Sequence, residues 1–486
     1  MSLVRRLSNE TLHLVPTAIE TPAYDRPGAR IGVVHFGPGA FHRAHQAWYF
    51  DEMLKAGGDF AVSAVAVRSG EVEDALGPQD GLYALAEREA EPRLRVIGAL
   101  KEVLTAPRAP DRVLARLADP SVRIVTSTVT EKGYCLTPAG DLDLAHPDIR
   151  RDLQGAGHPA SFPGWLVAGL AARRAAGHPP FVAVSCDNLS DNGSRLRRAV
   201  VQLADAKGDR GLAAWIAAEA RFPSTMVDSI TPATDDELRE KVRRELGLED
   251  AWPVQRERFV QWVVEDELDA DAAAFAAAGV TLTHDVAAFE KAKLRLLNGA
   301  HSTLAYVGLR LGHETVAQAM GDARLAGFVE RMMRQDIAAS LPAAQGLDLS
   351  AYVAAVLARF RNPAIAHRLA QIAWDGSQKL PFRILETTAE ALAAGRPLER
   401  LAVPVAAWML FVRTRARTDE AITDPMADTL LDLGRRLTGE PAADVEAMLA
   451  LPAIFPPALS ADPRYRAAAA AAYVKLDTDP ASALGA

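Results

Sequence analysis

Cysteine is nearly missing from this chain: Cys135 and Cys186 are the only two in 486 residues. A disulfide framework is excluded, and because each follows a β-branched run, two buried free thiols are predicted. No CxxC or HExxH spacing occurs. His42 and His45, the nearest approach to a metal pair, have no cysteine or carboxylate ligand nearby, so no metal site is predicted. Long apolar runs are missing too, since no window reaches the ~18 residues of a transmembrane helix. The opening stretch MSLVRRLSNETLHL is basic but has no apolar signal core, which leads us to expect a cytoplasmic protein. Finally, there is no basic surplus. The net charge of −8 excludes nucleic acid and anionic membranes as electrostatic partners.

What is present is a folded composition, 49% hydrophobic and 24% charged, in a chain too long for one ordinary core. Short apolar strands are predicted at Arg30 to Phe36, Phe60 to Val67, Arg123 to Val129 and Phe181 to Ser185. Helical patterns lie between them, as at Gln46 to Leu54, Asp111 to Ala118 and Gly164 to Ala176. Strands alternating with helices predict an α/β domain with a Rossmann-type parallel sheet, whose ligands bind at the carboxyl ends of the strands. From about Phe289 the pattern becomes helical: Lys291 to Leu311, Glu314 to Ala323, Ala326 to Ser340, Leu349 to Phe360, Leu385 to Ala394 and Val403 to Arg413. We therefore expect a dinucleotide-binding domain over 1–288 and a mostly α-helical substrate domain over 289–486. With no long linker between them, they are expected to pack around a shared cleft.

Three strand ends carry polar clusters: GPGAFHRAH after the first, TEKGY after the third, and CDNLSDNG after the fourth. In the first, Gly37 and Gly39 supply the tight turn and the close backbone approach that a pyrophosphate needs at a helix start. The third glycine of that pattern is replaced by His42, and Pro38 removes one N–H donor. The second strand ends in Arg68-Ser69-Gly70-Glu71 with no aspartate for an adenosine ribose. Arg68 could pair with a 2′-phosphate or stack on adenine, and Glu71 could take the ribose, so NAD is expected and NADP stays open. The candidate cofactor contacts are Phe36, Gly37, Pro38, Gly39, Ala40 and Phe41, with Arg68, Thr130 and Glu131 from the next strand ends. In CDNLSDNG, some side chains are expected to stabilise the turn itself, and Asn188 is the candidate oxyanion donor.

The densest chemistry lies in KAKLRLLNGAHSTLAY, which opens at Lys291. At ~100° per residue, Asn298 lies about 140° around an α-helix from Lys293, His301 about 80° and Glu290 about 60°. Two readings fit: a solvated face with one core histidine, or a proton-transfer site. In the second, Lys293 is the base, Asn298 holds an oxyanion, His301 orients substrate and Glu290 relays the proton. A lysine at its free pKa of ~10.4 is a poor base at neutral pH, so this reading expects burial beside a cationic ring to lower it. With no metal, it describes a zinc-independent carbonyl reductase.

GPGAFHRAH, TVTEKGY, SCDNLSDNG, FPSTMVDSITPAT, FVQWVVED and KLRLLNGAHS, in this order between Ile31 and Tyr473, resemble the mannitol dehydrogenase family of polyol-specific long-chain dehydrogenases. The resemblance implies an NAD(P)-dependent, metal-free oxidoreductase acting on a sugar acid or polyol. It further implies Lys293 as general acid/base, Asn188 and Asn298 as the oxyanion site, His301 and Asp228 as substrate contacts, and Glu290 at a proton channel. Within the family, three features are similar to the fructuronate reductase (D-mannonate oxidoreductase) branch: Ala40 before Phe41, Lys132 in TVTEKGYC, and HRLAQIAWDGSQKLPFRIL from His367. A hexuronate carries a carboxylate that mannitol lacks. Arg368, Lys379 and Arg383 are the cations of that last segment; Arg368 is read as a surface charge, Lys379 as the leading carboxylate partner and Arg383 as the next. The expectation is therefore NAD-linked interconversion of D-fructuronate and D-mannonate by a monomer or small homo-oligomer. A mannitol or arabinitol dehydrogenase is the alternative, and a cofactor-binding sensor without catalysis is the reading from another class.

Overall fold

β-Branched and apolar runs too short for helices become strands, and the burial of the first decides the architecture. The computed structural model describes residues 5–89, 91–155, 157–365 and 367–485. Its strands are β1 (Ile31–Phe36), β2 (Ala61–Ala66), β3 (Tyr83–Arg88), β4 (Arg93–Ile97), β5 (Leu100–Thr105), β6 (Ile124–Ser127), β7 (Val182–Ser185), β8 (Thr225–Asp228), β9 (Val254–Glu257), β10 (Gln261–Glu265) and β11 (Thr281–Thr283). The chain separates into two units, Met1–Ala287 and Ala288–Ala486.

In the first unit, β5-β2-β1-β6-β7 form a five-stranded sheet in which every pair is parallel. All six residues of β1 are buried, as a central strand covered on both faces requires. The strand order runs outward in opposite directions from β1, so the chain leaves β1 and β6 on either side of a crevice at their carboxyl ends. That is the topological switch point of a doubly wound sheet. The sequence reading found four of the five strands to within a residue or two. It missed β5, because LKEVLT exposes Lys101 and directs Glu102 to the Ser63 hydroxyl, 2.7 Å away, so the segment has no apolar run. Two three-stranded sheets, β4-β3-β9 and β11-β10-β8, complete this unit. Both cysteines are buried free thiols.

The second unit is helical. Leu349–Phe360 forms as expected, and Glu399–Arg417 is a longer helix than its core suggested, with Pro404 inside it. The segment expected as one helix from Lys291 to Leu311 is broken differently. Val286–Ala292 is α-helical, Lys293–Asn298 is a π-turn, and Gly299–Arg310 resumes the α-helix. A second π-turn, Pro381–Leu385, lies near the first, and a third spans Met332–Ile337.

Candidate active site

In the first unit a cleft of about 440 Å3 opens at the switch point, lined by Gly37, Pro38, Gly39, Arg68, Thr130 and Phe162 among others. Gly37 has φ +87°, and a Cβ there would lie 2.3 Å from the Thr128 carbonyl oxygen, so only glycine fits. Gly39 differs: the nearest atom to a Cβ would be 3.9 Å away, leaving open space in front of the backbone. It caps the helix Ala40–Ala44, whose first amides have no partner within the helix. This cradle fits a pyrophosphate, although the Gly39 N–H itself is occupied by the Gly37 carbonyl at 2.7 Å. Phe36, Ala40, Phe41 and Glu131 flank the cleft in sequence without lining it. The sequence reading missed Val67, Val72, Thr128, Asp148 and Phe162 among the lining residues. Val67, Val72 and Phe162 are apolar wall residues and carry no local signal that separates them from core.

Asp187 organises the loops beyond β6 and β7. Its carboxylate accepts the N–H groups of Val129 (3.0 Å) and Thr130 (2.8 Å) and the Tyr134 hydroxyl (2.6 Å). Asn192 is locked to Thr225 by bonds of 2.9 and 3.0 Å. These two residues of CDNLSDNG are therefore turn-builders, and they leave Asn188 exposed between them. Asp228 is buried at the end of β8, opposite Gln261 of β10.

In the second unit the π-turn changes the angular reckoning. The Gly299 N–H donates to the Leu294 carbonyl, five residues back, so residues five apart, such as Lys293 and Asn298, lie closer around the axis than the ~140° of a regular α-helix. Lys291 belongs to another face. It pairs with Glu390 at 3.1 Å, and buried Arg295 holds the same carboxylate at 2.6 and 2.8 Å. The Arg295 bonds pull the Glu390 carboxyl down to about 2. Lys293, Glu290 and Asn298 are half-buried.

His301 is buried, and its Nε2 lacks a hydrogen-bond partner among the described residues. Its ring centroid lies 4.5 Å from that of Phe360 and 5.1 Å, edge-on, from that of His367. Burial drives its pKa well below the usual value, and His367, Arg359 and Arg383 push the same way. The ring is thus neutral and can orient a hydroxyl. Lys379 donates to the carbonyls of Trp374 (2.6 Å) and Ile372 (3.5 Å), with Asp375 3.8 Å away. Arg383 donates to the Ser302 hydroxyl at 3.2 Å and pairs with no carboxylate among the described residues. His367 and Phe360 were not singled out individually in the sequence, where an aromatic next to a histidine reads as ordinary core.

Below the first unit's glycine turn, His35 bonds Thr126 Oγ1 (2.7 Å) and Thr128 Oγ1 (3.0 Å) and stacks on His42 at 3.3 Å. Burial pushes His35 down to about 3 from 6.5. When unfolded, it would take up a proton that the folded chain refuses, so its contribution is complete above pH 6.5 and is lost as pH falls toward 3. The stability gap between wild type and His35→Asn should shrink by roughly 2 kcal/mol from about pH 7 to about pH 5, read from urea midpoints. An unchanged gap would mean that the ring protonates in place.

A doubly wound sheet with a glycine turn at its switch point, followed by a helical unit bearing a lysine on a π-turn, defines an oxidoreductase of Rossmann type. Residues 31–275 match the model described as "Mannitol dehydrogenase Rossmann domain" and residues 285–477 "Mannitol dehydrogenase C-terminal domain". The chain is 38% identical to the D-mannonate oxidoreductase of Escherichia coli K12 over 94% of this chain and 96% of that one. It is likewise 38% identical to a mannitol 2-dehydrogenase of Pyrenophora tritici-repentis, over 85% and 75%. The solved ternary complex of Pseudomonas fluorescens mannitol 2-dehydrogenase with NAD and D-mannitol superposes with a TM-score of 0.77 at 34% identity, covering 99% of this chain and 98% of that one. The chain belongs to the mannitol dehydrogenase family, whose members are oxidoreductases acting on CH–OH groups. Among the described residues, no helix is long and apolar enough to cross a membrane.

Proposed function

We propose that this chain catalyses the reversible, NAD-dependent reduction of D-fructuronate to D-mannonate without a metal. Lys293 is the general acid/base, and Asn298 and Asn188 are the amide donors to the oxyanion. A bound nicotinamide dinucleotide supplies or accepts the hydride. In reduction, the Lys293 ammonium gives its proton to the ketone oxygen as negative charge develops there, and the amides hold that oxygen. Neutral His301 and Asp228 hold substrate hydroxyls, and Glu290 returns a proton to Lys293. The NAD assignment is supported by the cradle at Gly37–Gly39 and by the cofactor of the solved relative.

Arg383 carries the uronate reading. Burial lowers its pKa, and among the described residues it has no carboxylate partner. A guanidinium partly withdrawn from water, with no carboxylate against it among the described residues, is a ready partner for a substrate carboxylate. Lys379, the leading cation in the sequence, is already occupied by carbonyls. Arg383→Ala should therefore raise KM for D-fructuronate by roughly ten- to a hundredfold while changing KM for D-fructose little. Equal losses for both sugars would remove Arg383 from carboxylate recognition.

The neutral-polyol reading stays in play because a mannitol 2-dehydrogenase is as similar, at 38% identity, as the D-mannonate oxidoreductase. The deciding experiment is NADH consumption by chelator-treated protein, with D-fructuronate compared to D-fructose. Preference for fructuronate supports the uronate assignment, and preference for fructose replaces it with a mannitol dehydrogenase. No turnover of either would favour a cofactor-binding sensor.

A further inference from the structure

At the carboxyl end of β2, where a doubly wound sheet meets the adenosine ribose, this chain has Arg68 and Ser69 in place of an acid. An arginine there ordinarily accommodates a 2′-phosphate. Here its Nη2 lies 2.9 Å from Oδ2 of Asp148, in the first turn of the helix Pro147–Gln154. Both side chains line the 440 Å3 cleft, together with Ser69, Glu71 and Lys132. Asp148 is the more enclosed partner, 21% exposed against 76% for Arg68.

We propose that Asp148 is a cofactor-selectivity residue: it engages Arg68 and sets a carboxylate beside the ribose site, so the cleft rejects a 2′-phosphate and takes NAD(H). The chain thus reaches NAD selectivity through an ion pair contributed by a distant helix rather than through an acid at the strand end. The local field agrees. The Cys135 thiol, also lining the cleft, is pushed up to about 12 by burial first and then by Asp148 and Asp152, which outweigh Arg68. A phosphate dianion placed beside Asp148 meets a charge of its own sign, and Arg68, the cation at the strand end, is already paired.

This inference rests on the dinucleotide reading of the cleft, so the test measures binding rather than turnover. Isothermal titration calorimetry of the full chain with NADH and with NADPH gives Kd for wild type, Asp148→Asn and Asp148→Asn/Arg68→Ala. Wild type should bind NADH more tightly. Asp148→Asn should tighten NADPH by about fivefold or more and change NADH by less than about twofold, and the added Arg68→Ala should erase the gain. Asp148→Ser serves the same test if the asparagine variant does not fold. NADH binding with a Kd ratio unmoved by the Asp148 variants overturns the selectivity role alone, as does a wild type that prefers NADPH. Failure of wild type to bind either dinucleotide overturns the reading of the cleft and this inference with it.

Discussion

Lys293→Ala is expected to lower turnover by roughly 10²–10⁴-fold while the Kd for NADH stays within about twofold. Lys293 sits on the π-turn of the second unit, whereas the cradle for the dinucleotide is built from the first, at Gly37–Gly39. On the proposed mechanism, removing the ammonium deletes the proton donor to the forming alkoxide and leaves the cradle intact. The fold should tolerate it, because the helix is fastened on another face by Arg295 and Lys291 to Glu390. Steady-state kinetics and NADH fluorescence titration separate the two quantities. A small primary amine added to the buffer should restore part of the lost rate, since it can occupy the vacated volume and carry the proton. Parallel loss of binding and turnover, without rescue, would show that Lys293 is a structural residue and that the proton comes from elsewhere.

The second large effect contrasts two glycines two positions apart. Gly37→Ala places a methyl group 2.3 Å from the Thr128 carbonyl oxygen at a φ of +87°. The strain and the forced displacement of the chain leaving β6 should together cost roughly 2–5 kcal/mol. Thermal melting should fall by roughly 5–10 °C. Gly39→Ala has extended backbone angles and nothing closer than 3.9 Å to the new methyl, so its melting temperature should hardly move. That methyl would instead stand at the proposed approach of the pyrophosphate to the backbone, and the Kd for NADH should rise on the order of tenfold. If Gly39→Ala binds NADH as wild type does, the pyrophosphate does not lie on this turn. If Gly37→Ala melts like wild type, the turn can rearrange and its glycine is not obligatory.

Strands and helices with a strong local pattern were legible because burial on both faces selects continuous apolar runs, as in β1, and burial on one face selects helical periodicity, as in Leu349–Phe360. β5 was not, because its polar residues are satisfied by Ser63 and by arginines of the following helix, contacts that have no trace in the strand's own sequence. The glycine turn and the lysine segment could be read since each concentrates residue types that a helix or loop seldom assembles without a chemical use.

By itself, then, the sequence determined the residue types available for chemistry and the order of the elements that carry them: a sheet with a phosphate-compatible first turn, then helices bearing Lys293, Asn298 and His301. Only the tertiary structure decided which of those groups are available. It turned Asp187 and Asn192 into scaffold, tied Lys379 to the carbonyls of its own chain, and left Arg383 without a carboxylate partner among the described residues. It also made His301 neutral and paired Arg68 with Asp148. The reason is physical. A side chain's identity is local, but its charge state and its free hydrogen-bonding capacity depend on solvent exclusion and on partners that folding brings from far along the chain.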